Sequence, residues 1–265
     1  MNALVFDIET VPDPVLGRKL LDLGDKLTDK EVTEAMLKNQ LEKKGTEFLS
    51  LHCHKVVAIS VVLANDNQVK VWSIGEPGDS EASLISRFFA GLEKYKPTLV
   101  SWNGAGFDLP VLHYRAMLHK ISAPIYWDQG ERNSQVKWNN YISRYHQRHI
   151  DVMDLVALYQ ARAFAPLNEV ALLLGFPGKM GMSGAKVSDY FQDGKVNDIR
   201  NYCETDVLNT YLVFLRFELM RGNLNLESYE SRLKSLQDYL AESEHSHLKE
   251  FLNAWETGAV GCEAK

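Results

Sequence analysis

FDIET (residues 6–10) lies inside the opening run NALVFDIETVPD and puts two carboxylates on a strand that is otherwise apolar. Side chains alternate faces along an extended strand, so Asp7 and Glu9 point one way while Phe6 and Ile8 point the other. An apolar strand belongs inside a sheet, where an uncompensated carboxylate is expensive to desolvate. Two like charges about 4 Å apart repel by roughly 4 kcal/mol at an effective dielectric near 20. Either the strand end opens to water or another group offsets the charge.

From this strand outward, the first 110 residues alternate between strand and helix patterns. Residues 12–50 read as two amphipathic helices, the second capped by Thr28 with Glu31 three residues on, and form an insertion between strands. KVVAISVVLA, NDN and QVKVWSIG make a hairpin. A helix over about 79–95 leads to the strand PTLVSW, the turn NGAG, and a helix over about 108–119. Residues 120–150 are irregular and polar. Helices are expected at about 151–162, 166–175, 186–192, 195–221 and 227–256, with GFPGKMGMSGAK (175–186) as a mobile glycine-rich loop. Strands first and helices later define an α/β protein: a mixed central sheet flanked by helices, with an N-terminal helical insertion and extra C-terminal helices.

The 265 residues, 45% of them hydrophobic, suffice for one sizeable core. The net charge of −6 excludes a protein that coats duplexes through a global basic field, but not an enzyme gripping one strand end. Cys53, Cys203 and Cys262 have no paired spacing and read as reduced, structural thiols. No leader pattern precedes the first strand, and VVAISVVLA (56–64) is too short to span a bilayer. The expectation is a cytoplasmic protein without a membrane partner.

Acids recur at two further places. In SWNGAGFDLPVL (101–112), Asp108 follows a strand and a glycine turn; alone, it reads as a helix N-cap. In IRNYCETDVLNTYLVF (199–214), the apolar stripe runs through Ile199, Cys203, Val207, Thr210 and Phe214, and Tyr202 and Asp206 share one edge of it, a turn apart. Alone, that pair reads as a hydrogen bond pinning the helix. Asp7, Glu9, Asp108 and Asp206 converging on one spot need cations, and a hard oxygen site suits Mg²⁺ or Mn²⁺. Two such ions about 4 Å apart serve in-line phosphoryl displacement.

FDIET, WNGAGFDLPVL and NYCETD, in this order, resemble motifs I, II and III of the DEDD (DnaQ-like) 3′–5′ exonuclease superfamily. The Asp-x-Glu spacing and Asn103 five residues before Asp108 are similar to the proofreading exonuclease domain of family-B DNA polymerases. The resemblance runs from residue 3 to about residue 217 and points to the stand-alone family predicted to be related to that domain. Tyr202 four residues before Asp206 resembles the tyrosine branch (DEDDy); the histidine branch has His five before, where this chain has Asn201. The resemblance implies a ribonuclease H-like exonuclease domain over residues 1–221, with the insertion at about 12–50, and a C-terminal helical extension, 222–265, packed on it. It implies that Asp7, Glu9, Asp108 and Asp206 bind two divalent metal ions. It further implies that Tyr202 orients the attacking water, and that Asn103 and Phe107 touch the terminal nucleotide. The implied reaction removes nucleoside 5′-monophosphates from the 3′ ends of single-stranded DNA, as in DNA repair.

Lys179 and Lys186 are candidates for phosphate contacts, or members of a solvated loop. WNNYISRYHQRH (138–149) interleaves aromatics with Arg144 and Arg148, as single-strand binders do, or packs its rings inward. His54 reads as the first residue of a strand and HSH (245–247) as a solvated helix face; Asp151 reads as a helix cap, with a supporting role near the metals as the second reading. Two rival functions remain: the same catalytic fold acting on short RNA, and a non-catalytic nucleic-acid-binding scaffold.

Overall fold

The computed structural model describes residues 2–66 and 68–259; Cys262 lies outside them. The chain runs β1 (Ala3–Pro12), α1 (Pro14–Leu20), α2 (Asp29–Lys44), β2 (His54–Ala64), β3 (Val69–Ser73), α3 (Glu81–Tyr95) and β4 (Thr98–Ser101). There follow α4 (Asp108–Leu118), α5 (Pro124–Trp127), β5 (His149–Asp151), α6 (Val152–Val156), α7 (Leu167–Leu173) and α8 (Val187–Gln192). The last three are α9 (Val196–Met220), α10 (Leu226–Glu242) and α11 (Ser246–Ala259). The five strands form one mixed sheet in the order β3-β2-β1-β4-β5. β1 pairs antiparallel with β2 and parallel with β4.

Two cores cover the two faces of the sheet. Leu4, Phe6 and Ile8 of β1 pack with Ile85, Phe88 and Leu92 of α3 and Leu112 of α4. Ala3 and Val5 point the other way, into a core with Leu208, Tyr211, Leu212 and Phe214 of α9. The same second core takes Tyr229 and Leu236 of α10 and Leu248 and Phe251 of α11. Residues 202–215 are therefore buried all around α9, so the single apolar stripe expected from the sequence understates how enclosed this helix is.

The Thr28–Glu31 capping box forms in both directions, and α1 and α2 enclose a small core of their own around Val32 and Met36. A buried ion cluster ties the end of β1 to α3 and α4: Arg115 Nη1 reaches Asp13 at 2.6 Å and Arg115 Nη2 reaches Glu81 at 2.6 Å.

Three expectations are corrected. Residues 149–151, read as irregular chain and helix start, form β5, whose Ile150 pairs with Val100. Three residues are too short for a visible alternation. The helix that follows ends at Val156, not at 162. The helix expected over 227–256 is two, because Ser243 turns extended (φ −64°, ψ 143°) and its hydroxyl accepts from the His245 amide.

Candidate active site

Where β1 outruns β4, the site begins. Pairing between the two ends at Val5–Val100. Beyond it, the Ile8 amide donates instead to Asp108 Oδ1 at 3.1 Å. Asp7 and Glu9 flank that amide, and the register with β2 slips between Glu9 and Thr10. Such bulges re-aim side chains next to functional sites. Asp108 is not an N-cap: Phe107 holds that position, and the Asp108 carboxylate turns back to β1.

The turn after β4 fixes where α4 starts. Asn103 takes φ 63°, in the left-handed region that asparagine tolerates. A Cβ on Gly104 would overlap the Ser101 side chain, so only glycine fits there. Asp151 accepts from the amides of Asn103 (2.9 Å) and Ala105 (2.8 Å). It also caps α6 weakly, its Oδ1 lying 3.4 Å from the Asp154 amide. The cap expected from the sequence is thus the lesser part of what this residue does.

α9 supplies the fourth carboxylate. Asp206 lines a cleft of about 520 Å³ together with Asp7, Glu9, Asp108, Asn103, Phe107 and Lys179. Tyr202, one turn earlier, does not line this cleft. It borders a neighbouring pocket of about 400 Å³ that Met180, Gly181 and Met182 also line. Its phenol nevertheless pulls the Asp206 carboxyl downward, against burial. Lys186, at the start of α8, is not among the cleft residues.

The four acids are poorly compensated. Burial, then the neighbouring carboxylates Asp108, Glu9 and Asp206, push Asp7 well above the usual range. Burial followed by Asp206 and Asp108 does the same to Glu9. Burial raises Asp108 to about 7 even though the Ile8 amide pulls it down. Asp206 is raised by burial against the opposing pull of Tyr202 and the Lys179 ammonium. Asp206 Oδ1 is buried with no hydrogen-bond partner among the described residues. One oxygen each from Asp7 and Glu9 and the Cys203 sulfur lie within 4.8 Å of one another. Burial holds the Cys203 thiol far above its ordinary value, so it stays protonated and points at Asp7 Oδ2 (3.5 Å). Crowded carboxylate oxygens with an unpartnered lone pair fit a hard divalent cation, and a neutral thiol does not.

Sequence reasoning missed several neighbours. Trp102, Met153, Phe164 and Asn209 also line the cleft. Asn209 holds Gly178 through both backbone groups, Nδ2 to the carbonyl at 2.7 Å and Oδ1 from the amide at 3.1 Å. That places Lys179 in the cleft. The one-turn spacing from Asp206 to Asn209 is the only signal the sequence carried for it. From the insertion, Phe48 packs on Phe107 (5.8 Å).

The 138–149 segment splits. Tyr141 packs inward, its hydroxyl donating to the Pro97 carbonyl at 2.7 Å, while Trp138 and Tyr145 are each 79% exposed. His54 does begin a strand, with Nδ1 2.9 Å from Thr10 Oγ1. HSH is a solvated face only in part: His245 and Ser246 are exposed, but His247 Nε2 meets Glu204 Oε2 at 2.8 Å, and both of those side chains are largely covered.

An acid-lined cleft at the end of a mixed sheet is the setting for metal-assisted hydrolysis, and comparison with known proteins names the class. The family model described as "Predicted 3'-5' exonuclease related to the exonuclease domain of PolB" matches residues 46–255, and this chain belongs to that family. A DNA polymerase of Archaeoglobus fulgidus is 27% identical over 161 residues, covering 60% of this chain and 19% of the polymerase. The chain thus corresponds to less than a fifth of that relative's length. The family match begins after β1, leaving Asp7 and Glu9 outside it, and it takes in α10 and most of α11. The motifs place the resemblance at residues 3–217; the match reaches further, into helices that share a core with α9. Among the described residues no helix is long and apolar enough to cross a membrane.

Proposed function

We propose that this protein is a DEDDy-type exonuclease on a ribonuclease H-like fold, cutting phosphodiester bonds from the 3′ end of single-stranded DNA and releasing nucleoside 5′-monophosphates. The observation that carries this reading is the convergence of Asp7, Glu9, Asp108 and Asp206 on one cleft, with a buried Asp206 oxygen left unpartnered. The sheet order and family membership support it. We read residues 1–221 as the catalytic domain and 222–265 as an extension on it, a division supported by the packing of α10 and α11 on α9.

The four carboxylates would hold two divalent ions, Mg²⁺ or Mn²⁺, which when bound neutralise the phosphate and acidify water. Around them, the chain's own residues do the positioning. Burial and the charge of Asp206 push the Tyr202 phenol far above its ordinary value, so it acts as a hydrogen-bond donor that orients water and not as the base. Asn103 and Phe107, on the rigid turn, face the terminal nucleotide. Lys179 reaches the phosphates.

The test uses 5′-labelled single-stranded DNA and RNA oligonucleotides with Mg²⁺, Mn²⁺ or EDTA. A metal-dependent ladder shortening from the 3′ end, stronger on DNA, is the expected result. A stronger ladder on RNA moves the substrate to short RNA. No ladder on either, with no Mn²⁺-induced rise in melting temperature, returns the protein to a non-catalytic scaffold.

A further inference from the structure

Outside the cleft, an exposed three-layer stack stands unexplained. The Arg144 guanidinium lies over the Tyr145 ring (5.0 Å) and over the Tyr159 ring (5.5 Å). Arg144 Nη2 donates to the Tyr145 hydroxyl at 2.9 Å, and the Tyr159 hydroxyl donates to the Arg144 carbonyl at 3.0 Å. Tyr145 is 79% exposed and Tyr159 39%.

The backbone beneath it is strained. Leu158 (φ 51°) and Tyr159 (φ 59°) are consecutive non-glycine residues in the left-handed region. Such strain costs of order 1–3 kcal/mol per residue and persists where the surroundings enforce it. Here the Tyr159 amide donates to the Asp154 carbonyl (2.8 Å), turning the chain sharply out of α6 and presenting the ring.

A short segment tethers the stack to the cleft. Tyr159 precedes Phe164, a cleft residue, by five positions, which caps their separation at about 18 Å. Trp102 Nε1 donates to the Ala165 carbonyl at 3.2 Å, tying this segment to the turn that carries Asn103. At its other end, α6 starts from Asp151, which holds the same turn.

We propose that Tyr145, Arg144 and Tyr159 form a strand-binding platform for the single-stranded nucleic acid a few nucleotides upstream of the 3′ terminus. This rests on the exonuclease reading above. Tyrosine faces stack bases whatever their sequence, and an exposed guanidinium pairs with phosphate. In a chain of net charge −6, a local cation between two rings is where a polyanion finds a hold. Asp154 beside Arg144 offsets part of that charge, so the rings carry much of the recognition.

The test compares wild type with the Arg144→Gln/Tyr145→Ala double variant and with Tyr145→Phe. The two substrates are a single-stranded 12-mer and the p-nitrophenyl ester of thymidine 5′-monophosphate, too short to reach the platform. The double variant is expected to raise KM for the 12-mer at least about tenfold, the cost of losing one stacked base. Its kcat and its turnover of the short ester stay unchanged, and Tyr145→Phe behaves as wild type. An unchanged KM, or an equal loss on both substrates, overturns the platform; the first outcome leaves the surface to a protein partner. If wild type cleaves neither substrate, the exonuclease reading fails on its own, and fluorescence anisotropy with the labelled 12-mer then judges the platform. Weaker binding by the double variant sustains it; equal binding, or none by wild type, overturns it.

Discussion

The backbone amide of Ile8 and the carboxylate of Asp108, a hundred positions apart in sequence, are joined by a 3.1 Å hydrogen bond. The bond exists because β1 outruns its parallel partner and leaves a donor free. A strand edge and a metal-ligand candidate thereby satisfy each other, and the joint holds the Asp108 side chain against β1.

Asp108→Asn keeps an oxygen to accept the Ile8 amide but removes a buried charge. The variant is expected to fold, to melt higher than wild type in EDTA at neutral pH, and to lose both cleavage and the Mn²⁺-induced rise in melting temperature. Calorimetry in EDTA and in Mn²⁺ checks both halves. A variant that cleaved like wild type would remove Asp108 from the site.

The same pair sets a pH dependence. Burial holds Asp108 protonated to about 7, while an unfolded carboxyl ionises near 3.8. Between those values the unfolded chain has released a proton that the folded chain keeps, so this group's contribution falls as pH rises. His113 and His149, both lowered to about 4 by burial, pull the other way and vanish from a difference. The stability advantage of Asp108→Asn over wild type in EDTA should be near zero at pH 4 and grow up to pH 7. Urea unfolding across that range measures it. An advantage that shrank with pH would contradict the burial of this group.

Asp151→Asn leaves one acceptor oxygen where two amides, of Asn103 and Ala105, now converge. The turn after β4 loosens and the start of α4 with it. By the usual cost of losing a group that orients metal ligands, activity should fall about 10–100-fold. Circular dichroism should stay that of wild type, and steady-state kinetics on the 12-mer reads the change.

Tyr202→Phe removes the hydroxyl donor that pulls Asp206 downward. A loss of about 10²-fold in kcat is expected, as for a misplaced proton-handling group, with little change in KM. Because the phenol does not ionise near neutrality, the pH–rate profile between 6 and 9 should keep its shape in the variant. A basic limb that disappeared with the hydroxyl would make Tyr202 a base.

The candidate ligands were legible in the sequence because each sits on an element with a clear period. Asp7 and Glu9 share the two-residue alternation of β1, and Tyr202 and Asp206 the one-turn spacing of α9. What escaped was short or non-periodic. β5 is three residues long, and the break at Ser243 interrupts a pattern that stays amphipathic on both sides. Asp151 looked like a cap because its amide partners, Asn103 and Ala105, lie 48 and 46 residues back in the chain. Lys179 and Lys186 looked alike in one glycine-rich loop; only the clasp of Asn209 on Gly178 separates them.

The Cys203 thiol touches Asp7 across 196 positions, so the first and last acidic segments meet only when nearly the whole chain is present. During synthesis from the N-terminus, Asp7, Glu9 and Asp108 emerge long before α9. A nascent fragment therefore carries an incomplete cleft lacking Asp206 and Tyr202. On the function proposed here, catalytic competence waits for α9, and a nascent fragment that stops short of it cannot cut.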